Sequence, residues 1–248
     1  MVARGRLGLL VAAAVVGAVS IPAAGGAPTS RPVVWVQAGH EGPREPGYTA
    51  QTGAAGEVRF NIRVAAAVER RLRAAGVDAR HSPGRAAGFP SSGAVFVAIH
   101  HDTPDGHAAV GHAISGAGEN WYRGEGFGPP RSTPYPDSAP HRTPSTTVSH
   151  AVETRSRLLA SRIRDRYATV FTRSNGARSG PVRLEPRNGN RRVQRYVGYY
   201  RSNAAARVLV ESGAGGTDAA MLRRTDVIAT AVAGAIIGYL RDAGSLPR

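Results

Sequence analysis

Four residues that can bind a metal ion or carry a proton lie next to short apolar segments. His40 follows Val-Val-Trp-Val-Gln-Ala-Gly, His100 follows Val-Phe-Val-Ala-Ile, and Glu211 follows Arg-Val-Leu-Val. Glu57 lies in the first turn of a predicted helix. Ligands of α/β proteins bind outside the carboxyl ends of the strands, so we expect these side chains to meet there. Two imidazoles and one carboxylate form a ligand set for catalytic zinc, and a second carboxylate is the usual general base. The pattern predicts a zinc hydrolase.

Each of these residues also has a structural explanation. A single His after a strand often serves packing, and the helix dipole favours Glu57 in a first turn without any metal. Glu211 is harder to explain in this way, because a carboxylate that ends a buried strand is costly unless it is paired or ligated. Four such residues, each at the functional end of its element, favour a metal site.

Other polar residues near the second His are further candidates. His101 directly follows His100, and neighbours on a strand point to opposite faces, so only one of the two can face the site. The apolar pattern does not decide which one. Asp102 could hold a ligand imidazole by accepting its second ring N–H. The remaining histidines fall in predicted loops or turns or beside them: His81, His107, His112, His141 and His150.

Composition narrows the class of protein. A chain of 248 residues can bury one substantial core, and residues 33–248 are predicted to form a single catalytic domain. The absence of cysteine excludes disulfides and thiolate ligands, so any zinc must be held by His, Asp or Glu. The formal net charge of +15, carried entirely by Arg without any Lys, favours polyanionic partners.

The amino terminus predicts export. Residues 1–27 combine two early Arg residues, an apolar run and a segment of small residues, which is the plan of a signal peptide. The apolar run is short for a membrane span of about 20 residues, so we expect cleavage rather than a stable membrane anchor. Residues 28–32 would be a short linker. An exported protein in the cell envelope, periplasmic or secreted, does not meet the chromosome. The charge therefore indicates anionic wall polymers rather than nucleic acid.

The first half of the domain shows alternating strands and helices. Apolar and β-branched runs predict strands over 33–36, 77–80 and 95–99, the last of them central. Between the first two, helical spacing begins at Glu57 and is expected to stop at Gly76. This alternation predicts an α/β domain with a mainly parallel sheet.

The second half contains two unusual loops. Residues 115–149 are rich in Gly, Pro, Ser and Thr with interspersed aromatics, which fits a lid or a disordered loop. A helix is predicted over 150–168. Residues 178–201 carry seven Arg against one Glu, either as a solvated face or as a contact for acidic polymer. A strand over 207–210 and a closing helix over about 218–240 complete the domain.

Four ordered motifs resemble one family. They are Gln-Ala-Gly-His40-Glu-Gly, Glu57-Val-Arg-Phe-Asn, Val-Ala-Ile-His100-His-Asp and Val-Leu-Val-Glu211-Ser-Gly. In this order they resemble the zinc-dependent N-acetylmuramoyl-L-alanine amidases, which are bacterial cell-wall hydrolases. The resemblance spans about residues 33–240. It implies a single three-layer α/β/α domain, related to the zinc carboxypeptidases.

The resemblance assigns roles to these residues. His40, Glu57 and His100 would bind one zinc ion, and Glu211 would be the catalytic carboxylate. Peptidoglycan would be the substrate, cleaved between N-acetylmuramic acid and the L-alanine of the stem peptide. Two positions that could line the pocket depart from the family pattern: Glu41 stands where Gly usually follows the first His, and His101 stands where a small residue is common.

Two other functions compete with the amidase interpretation. One is a different exported zinc peptidase, such as a carboxypeptidase, on the same scaffold. The other is a non-catalytic wall-binding protein that uses the Arg-rich loop. The intact set of two His and two Glu argues against a binding module, which has no need of it. The sequence contains no internal repeat, and we expect a monomer.

Overall fold

A computed structural model describes residues 30–41, 54–83, 92–115, 148–175, 180–186 and 202–247. The predicted signal peptide lies outside the described residues. So do 116–147 of the predicted lid and most of the Arg-rich loop, and these predictions remain untested.

Within the described residues, six strands form one sheet: β1 Val33–Ala38, β2 Asp78–Pro83, β3 Val95–Asp102, β4 Ala109–His112, β5 Arg183–Pro186 and β6 Ala206–Ala214. Their order in the sheet is β2-β1-β3-β6-β4-β5. The β4–β6 pair is antiparallel, and the other four pairings are parallel, so the predicted mainly parallel sheet is confirmed. Strand β3 is central, as predicted, and its first seven residues are buried.

In the part of the chain that the structure describes, four helices accompany the sheet: α1 Glu57–Ala74, α2 His150–Asn175, α3 Ala219–Leu222 and α4 Thr225–Asp242. Helix α1 begins after Gly56, whose φ is 79°, and ends before Gly76, whose φ is 84°, which is the predicted stop. Both conformations suit glycine because it lacks a Cβ. Among the described helices, none has the length and apolar character needed to cross a membrane.

The two faces of the sheet differ in what covers them. Val95, Val97 and Ile99 of β3 belong to a core that includes the apolar sides of α1, α2 and α4. The alternate residues Phe96 and Ala98 belong to a smaller cluster on the opposite face. The predicted α/β class is thus confirmed. Within the described ranges the three long helices bury most of their apolar residues in the core on the Val95 face, and Val152 at the start of α2 packs against the cluster on the other face.

Several element bounds differ from the sequence prediction. Strands β4 and β5 fall in segments predicted as loops, because four-residue strands are too short to show a clear period. Helix α2 continues to Asn175, past the predicted end at 168. The predicted closing helix is broken at Arg224, whose φ of −94° and ψ of 53° are not helical. The break separates α3, which buries Met221, from α4, which buries Ile228 and Val232 in the same core.

Adjacent leucines in α2 provide a test of this packing. Leu159 is fully buried, whereas Leu158 is 49% exposed. Leu159→Ala should lower the free energy of unfolding by about 2–5 kcal/mol, because it removes buried methyl groups and leaves a cavity. Leu158→Ala makes the same chemical change at the surface and should change it by less than about 0.5 kcal/mol. Urea denaturation measures both values, and equal losses would contradict the described orientation of α2.

Candidate metal centre

The structure brings together three of the predicted site residues at the carboxyl end of the sheet. His40 follows β1, His100 lies near the end of β3, and Glu57 is the first residue of α1. One potential ligand atom from each lies within 4.8 Å of the others. Oε1 of Glu57 is 3.1 Å from Nδ1 of His100 and 3.5 Å from Nε2 of His40. A single carboxylate oxygen therefore lies between two imidazole rings.

A tight turn after β1 directs His40 into this cluster. The backbone N–H of Glu41 donates to the carbonyl of Ala38, and His40 has φ 58° at the third position of the turn. Positive φ is uncommon for residues other than Gly, although His is among the types that adopt it more often. Gly39 has no room for a side chain, since a Cβ there would lie 2.2 Å from atoms of the His100 ring. The two imidazoles approach each other because this position is glycine.

Asn61 connects the turn to α1. Its side chain is fully buried, and Nδ2 donates to the carbonyl of Gly39 at 2.9 Å and to Oε1 of Glu57 at 3.4 Å. The backbone N–H of Ala54 donates to the other oxygen of Glu57 at 2.7 Å. Asn61 ends the Glu57-Val-Arg-Phe-Asn motif, and the sequence predicted no role for it. Its spacing of four residues from Glu57, one helical turn, is the signal that could have indicated one.

The electrostatic surroundings of His40 and Glu57 keep both side chains in the protonation states that metal ligands require. Burial, followed by repulsion from His100, lowers the pKa of His40 to about 4, so its imidazole is neutral at pH 7. Burial alone would raise the pKa of Glu57. Hydrogen bonding to His100, the two nearby imidazoles and the Ala54 N–H outweigh it and lower the pKa to about 2. A neutral imidazole and an ionised carboxylate are ligand forms.

The donor set and its spacing fit zinc. Two nitrogens and one oxygen around a tetrahedral zinc ion are separated by about 3.3 Å, given bond lengths near 2.0–2.1 Å. The two distances to the Glu57 oxygen bracket this value. Nδ1 is the ring nitrogen of His100 that faces this oxygen. The other nitrogen, Nε2, is buried without a hydrogen-bond partner in the described part of the chain, and one imidazole gives a metal ion only one of its two nitrogens. The fit therefore rests on the donor types and on the two distances to the Glu57 oxygen.

Glu211 lies beside this cluster on the neighbouring strand. It pairs in register with His100 in the parallel β3–β6 ladder, so the two side chains project from the same face of the sheet. It is partly buried. The strand does not end at Glu211, as the apolar run had indicated, because β6 continues to Ala214. The buried Asp218 carboxylate accepts the N–H of Ala214 at 2.7 Å and secures this extension.

The structure distinguishes the two adjacent histidines. His101 projects to the opposite face, where its ring meets Phe60 of α1 edge-on at 5.2 Å between centroids. His100 is therefore the one that enters the cluster. The expected role of Asp102 as a holder of a ligand imidazole is not observed. Its two oxygens accept backbone N–H groups of Thr103 and His107, which closes the turn after β3.

The other described histidines lie outside the cluster around Glu57. Nε2 of His107 lies 2.8 Å from Glu185, and His150 is exposed at the start of α2. His112 is buried within β4, not in a loop as predicted. His81 contacts Glu41 at 2.6 Å, so the Glu41 carboxylate faces β2. His141 lies outside the described residues.

The fold is shared with solved cell-wall hydrolases. The structure is similar to the N-acetylmuramyl-L-alanine amidase Ami1 of Mycobacterium smegmatis, with a TM-score of 0.51 and 18% identity, covering 85% of this chain and 97% of that one. Ami1 of Mycobacterium abscessus gives 0.50 and 18%, covering 84% and 98%. The catalytic domain of the CD27L endolysin, which targets Clostridia difficile, gives 0.50 and 14%, with the same coverage. No protein-family model and no curated protein sequence matches this chain.

The chain has the amidase fold. The α/β fold with a mainly parallel sheet that the motif resemblance implied is therefore confirmed, over nearly the full length of each compared domain. At these identities the likeness concerns the fold alone. The assignment of roles within the amidase fold depends on the geometry of the cluster around Glu57.

The close contact at Gly39 yields a prediction. Gly39→Ala should displace the His100 ring or the turn, because the added Cβ would overlap ring atoms. We expect a loss of about 1–3 kcal/mol in the free energy of unfolding, the usual cost of overpacking. Gly180→Ala is the control, since nothing lies within 4 Å of a Cβ there. Thermal or urea denaturation of both variants measures the effect, and wild-type stability of Gly39→Ala would contradict the described approach.

Proposed function

We propose that this protein is a zinc-dependent peptidoglycan amidase that hydrolyses the amide between N-acetylmuramic acid and the L-alanine of the stem peptide. The observation that carries the proposal is the convergence of His40, Glu57 and His100 at the sheet edge of an amidase fold, with Glu211 in register beside them. This constellation unites the ligands of a catalytic zinc with a further carboxylate, which is what metal-assisted amide hydrolysis needs.

Each residue has a defined task in this proposal. His40, Glu57 and His100 hold one zinc ion, which supplies Lewis-acid chemistry to water and to the scissile carbonyl. Glu211 accepts a proton from the attacking water and then passes it to the leaving amine of L-alanine. Asn61 keeps the Glu57 oxygen and the Gly39 carbonyl in fixed positions. The products are a glycan strand without its stem peptide and a peptide with a free amino terminus.

The setting of the enzyme is part of the proposal. Peptidoglycan lies outside the cytoplasmic membrane, which agrees with the signal peptide predicted over residues 1–27. The net charge of +15 would favour adhesion to anionic wall polymers, with the Arg-rich segment 178–201 as the proposed contact. In this proposal the enzyme binds the wall through segment 178–201 of its catalytic domain.

Product analysis tests the activity directly. Residues 28–248 are incubated with purified peptidoglycan and with a short muramyl-peptide, with and without a zinc chelator, and the products are identified by mass spectrometry. We expect chelator-sensitive release of stem peptides with a new L-alanine amino terminus. Release of a carboxyl-terminal amino acid would instead indicate a carboxypeptidase. Wall binding without any product from the zinc-loaded protein would indicate a binding protein.

Glu211→Gln in the same assay tests whether Glu211 transfers the proton in the proposed reaction. The substitution keeps the shape of the side chain but removes its basicity, so kcat should fall on the order of 10²–10⁴-fold while zinc content is unchanged. Asp242→Asn is the control, because Asp242 is a carboxylate at the end of α4 that pairs with Arg162 outside the cluster. Turnover of Glu211→Gln at the wild-type rate would remove Glu211 from the mechanism.

Variants of the adjacent histidines His100 and His101 test the proposed zinc ligand without a measurement of enzymatic activity. His100→Ala removes a proposed ligand and should lower the zinc content of the purified protein well below one ion per chain. His101→Ala removes a ring that packs against Phe60 on the other face, so its zinc content should equal that of the wild type. Elemental analysis measures both. The reverse result would mean that His101, not His100, is the ligand.

A further inference from the structure

A second polar network lies next to the metal centre and involves residues that the proposed mechanism does not use. His81 of β2 lies between two carboxylates: its Nε2 is 2.6 Å from Glu41, and its Nδ1 is 2.7 Å from Glu69 of α1. Glu69 is in turn held by Arg73, whose Nη2 donates to it at 2.8 Å. Glu41 directly follows His40 in the chain. The network therefore joins β2 and α1 to the turn that carries a proposed zinc ligand.

The turn requires such support. His40 adopts φ 58°, and a non-glycine residue in this left-handed region costs about 1–2 kcal/mol. Strained conformations of this kind persist only where the surroundings determine them. On one side of His40, Asn61 holds the carbonyl of Gly39. On the other side, the side-chain anchor seen for Glu41 is its contact with His81.

We infer that His81 is a positioning residue for zinc binding: by bridging Glu41 and Glu69 it fixes the turn after β1 so that His40 points at the metal. This inference rests on the proposed function, because it takes the His40 cluster to be a zinc site. The bridge acts on His40 through the backbone, without touching the metal or the substrate.

The chemistry of the bridge requires a charged imidazole. A neutral imidazole can donate only one hydrogen bond, whereas imidazolium donates from both nitrogens, one to each carboxylate. The hydrogen bonds to Glu41 and then to Glu69 raise the pKa of His81 to about 9, so the doubly donating form is present at pH 7. Glu69 is buried with an exposed side-chain fraction of 8%, and a buried carboxylate needs such partners.

Zinc affinity is the measurement that tests the inference. His81→Gln and Glu41→Gln keep the side-chain size but remove the paired charge. Each should weaken zinc binding by about tenfold, the lower end of the usual effect of residues that orient metal ligands. The double variant should bind no more weakly than the weaker single variant, since both changes break the same bridge. Competition with a chromophoric chelator at pH 7.5 gives the dissociation constants.

The control is Arg80→Gln on the same strand. It also removes one positive charge from β2, but Arg80 pairs with Asp78 at the exposed edge and does not contact Glu41. Its zinc affinity should equal that of the wild type. If His81→Gln does not fold, as judged by circular dichroism, Glu41→Gln carries the test because the His81–Glu69 pair remains. Wild-type zinc affinity in the folded variants, or additive losses in the double variant, would overturn the inference.

The pH dependence of stability is a second readout. Among the described residues, the charged and titratable groups that face His81 are Glu41 from the turn and Glu69 from α1, with Arg73 behind Glu69. The folded pKa of His81 lies above its usual value of 6.5, so its contribution is complete below 6.5 and is lost as the pH rises through about 9. The gap in Tm between apo wild type and apo His81→Gln should therefore be largest near pH 6 and close above about pH 9. A gap that is constant with pH would indicate packing alone and contradict the charged bridge.

Zinc binding by the wild type and by the variants distinguishes failure of the proposed function from failure of the positioning role of His81. If the wild-type protein does not bind zinc, the proposed function is wrong, and this inference falls with it. If the wild type binds zinc and the folded bridge variants bind it equally well, only the positioning role of His81 is wrong.

Discussion

One carboxylate oxygen, Oε1 of Glu57, lies between the imidazoles of His40 and His100, and the local structure is arranged around it. A buried carboxylate is costly, so every neighbour of this oxygen must compensate for its desolvation. The rings of the two histidines and the amide of Asn61 do so at Oε1, while the Ala54 N–H serves the other oxygen. These groups come from a turn, a strand and a helix, and the cluster can exist only if all three elements meet.

The hydrophobic core brings those elements together. Strands β1 and β3 are parallel neighbours, so both of their carboxyl ends reach the same edge of the sheet. The apolar side of α1 packs on these strands, which places its first residue above that edge. Glu211 joins the site through the ladder between β3 and β6. The hydrophobic effect has no preferred direction, but it packs together the elements that carry these polar groups. It thereby sets the positions of side chains whose hydrogen bonds and metal bonds need a defined direction.

A few residues around the turn after β1 determine the local geometry of the metal centre. Gly39 lets the two imidazoles approach each other because it has no side chain. His40 holds a positive φ within a turn that Asn61 secures from α1. Beyond the turn, Glu41 extends to His81, so the edge strand β2 is connected to the site as well. The amidase fold supplies the edge of the sheet, and these contacts determine the geometry at that edge.

The sequence by itself determined the α/β class, the mainly parallel sheet and the residues that converge. These features follow from apolar runs with strand or helix periodicity, which are local properties of the chain. The apolar pattern left the choice between His100 and His101 open, and the motif resemblance favoured His100. The tertiary structure shows His100 in the cluster, because the choice depends on which face of β3 turns toward α1. It also decided the partners of Asp102 and Glu41, the short strands β4 and β5, and the break at Arg224. Those features arise from contacts between residues far apart in the chain, which no local pattern encodes.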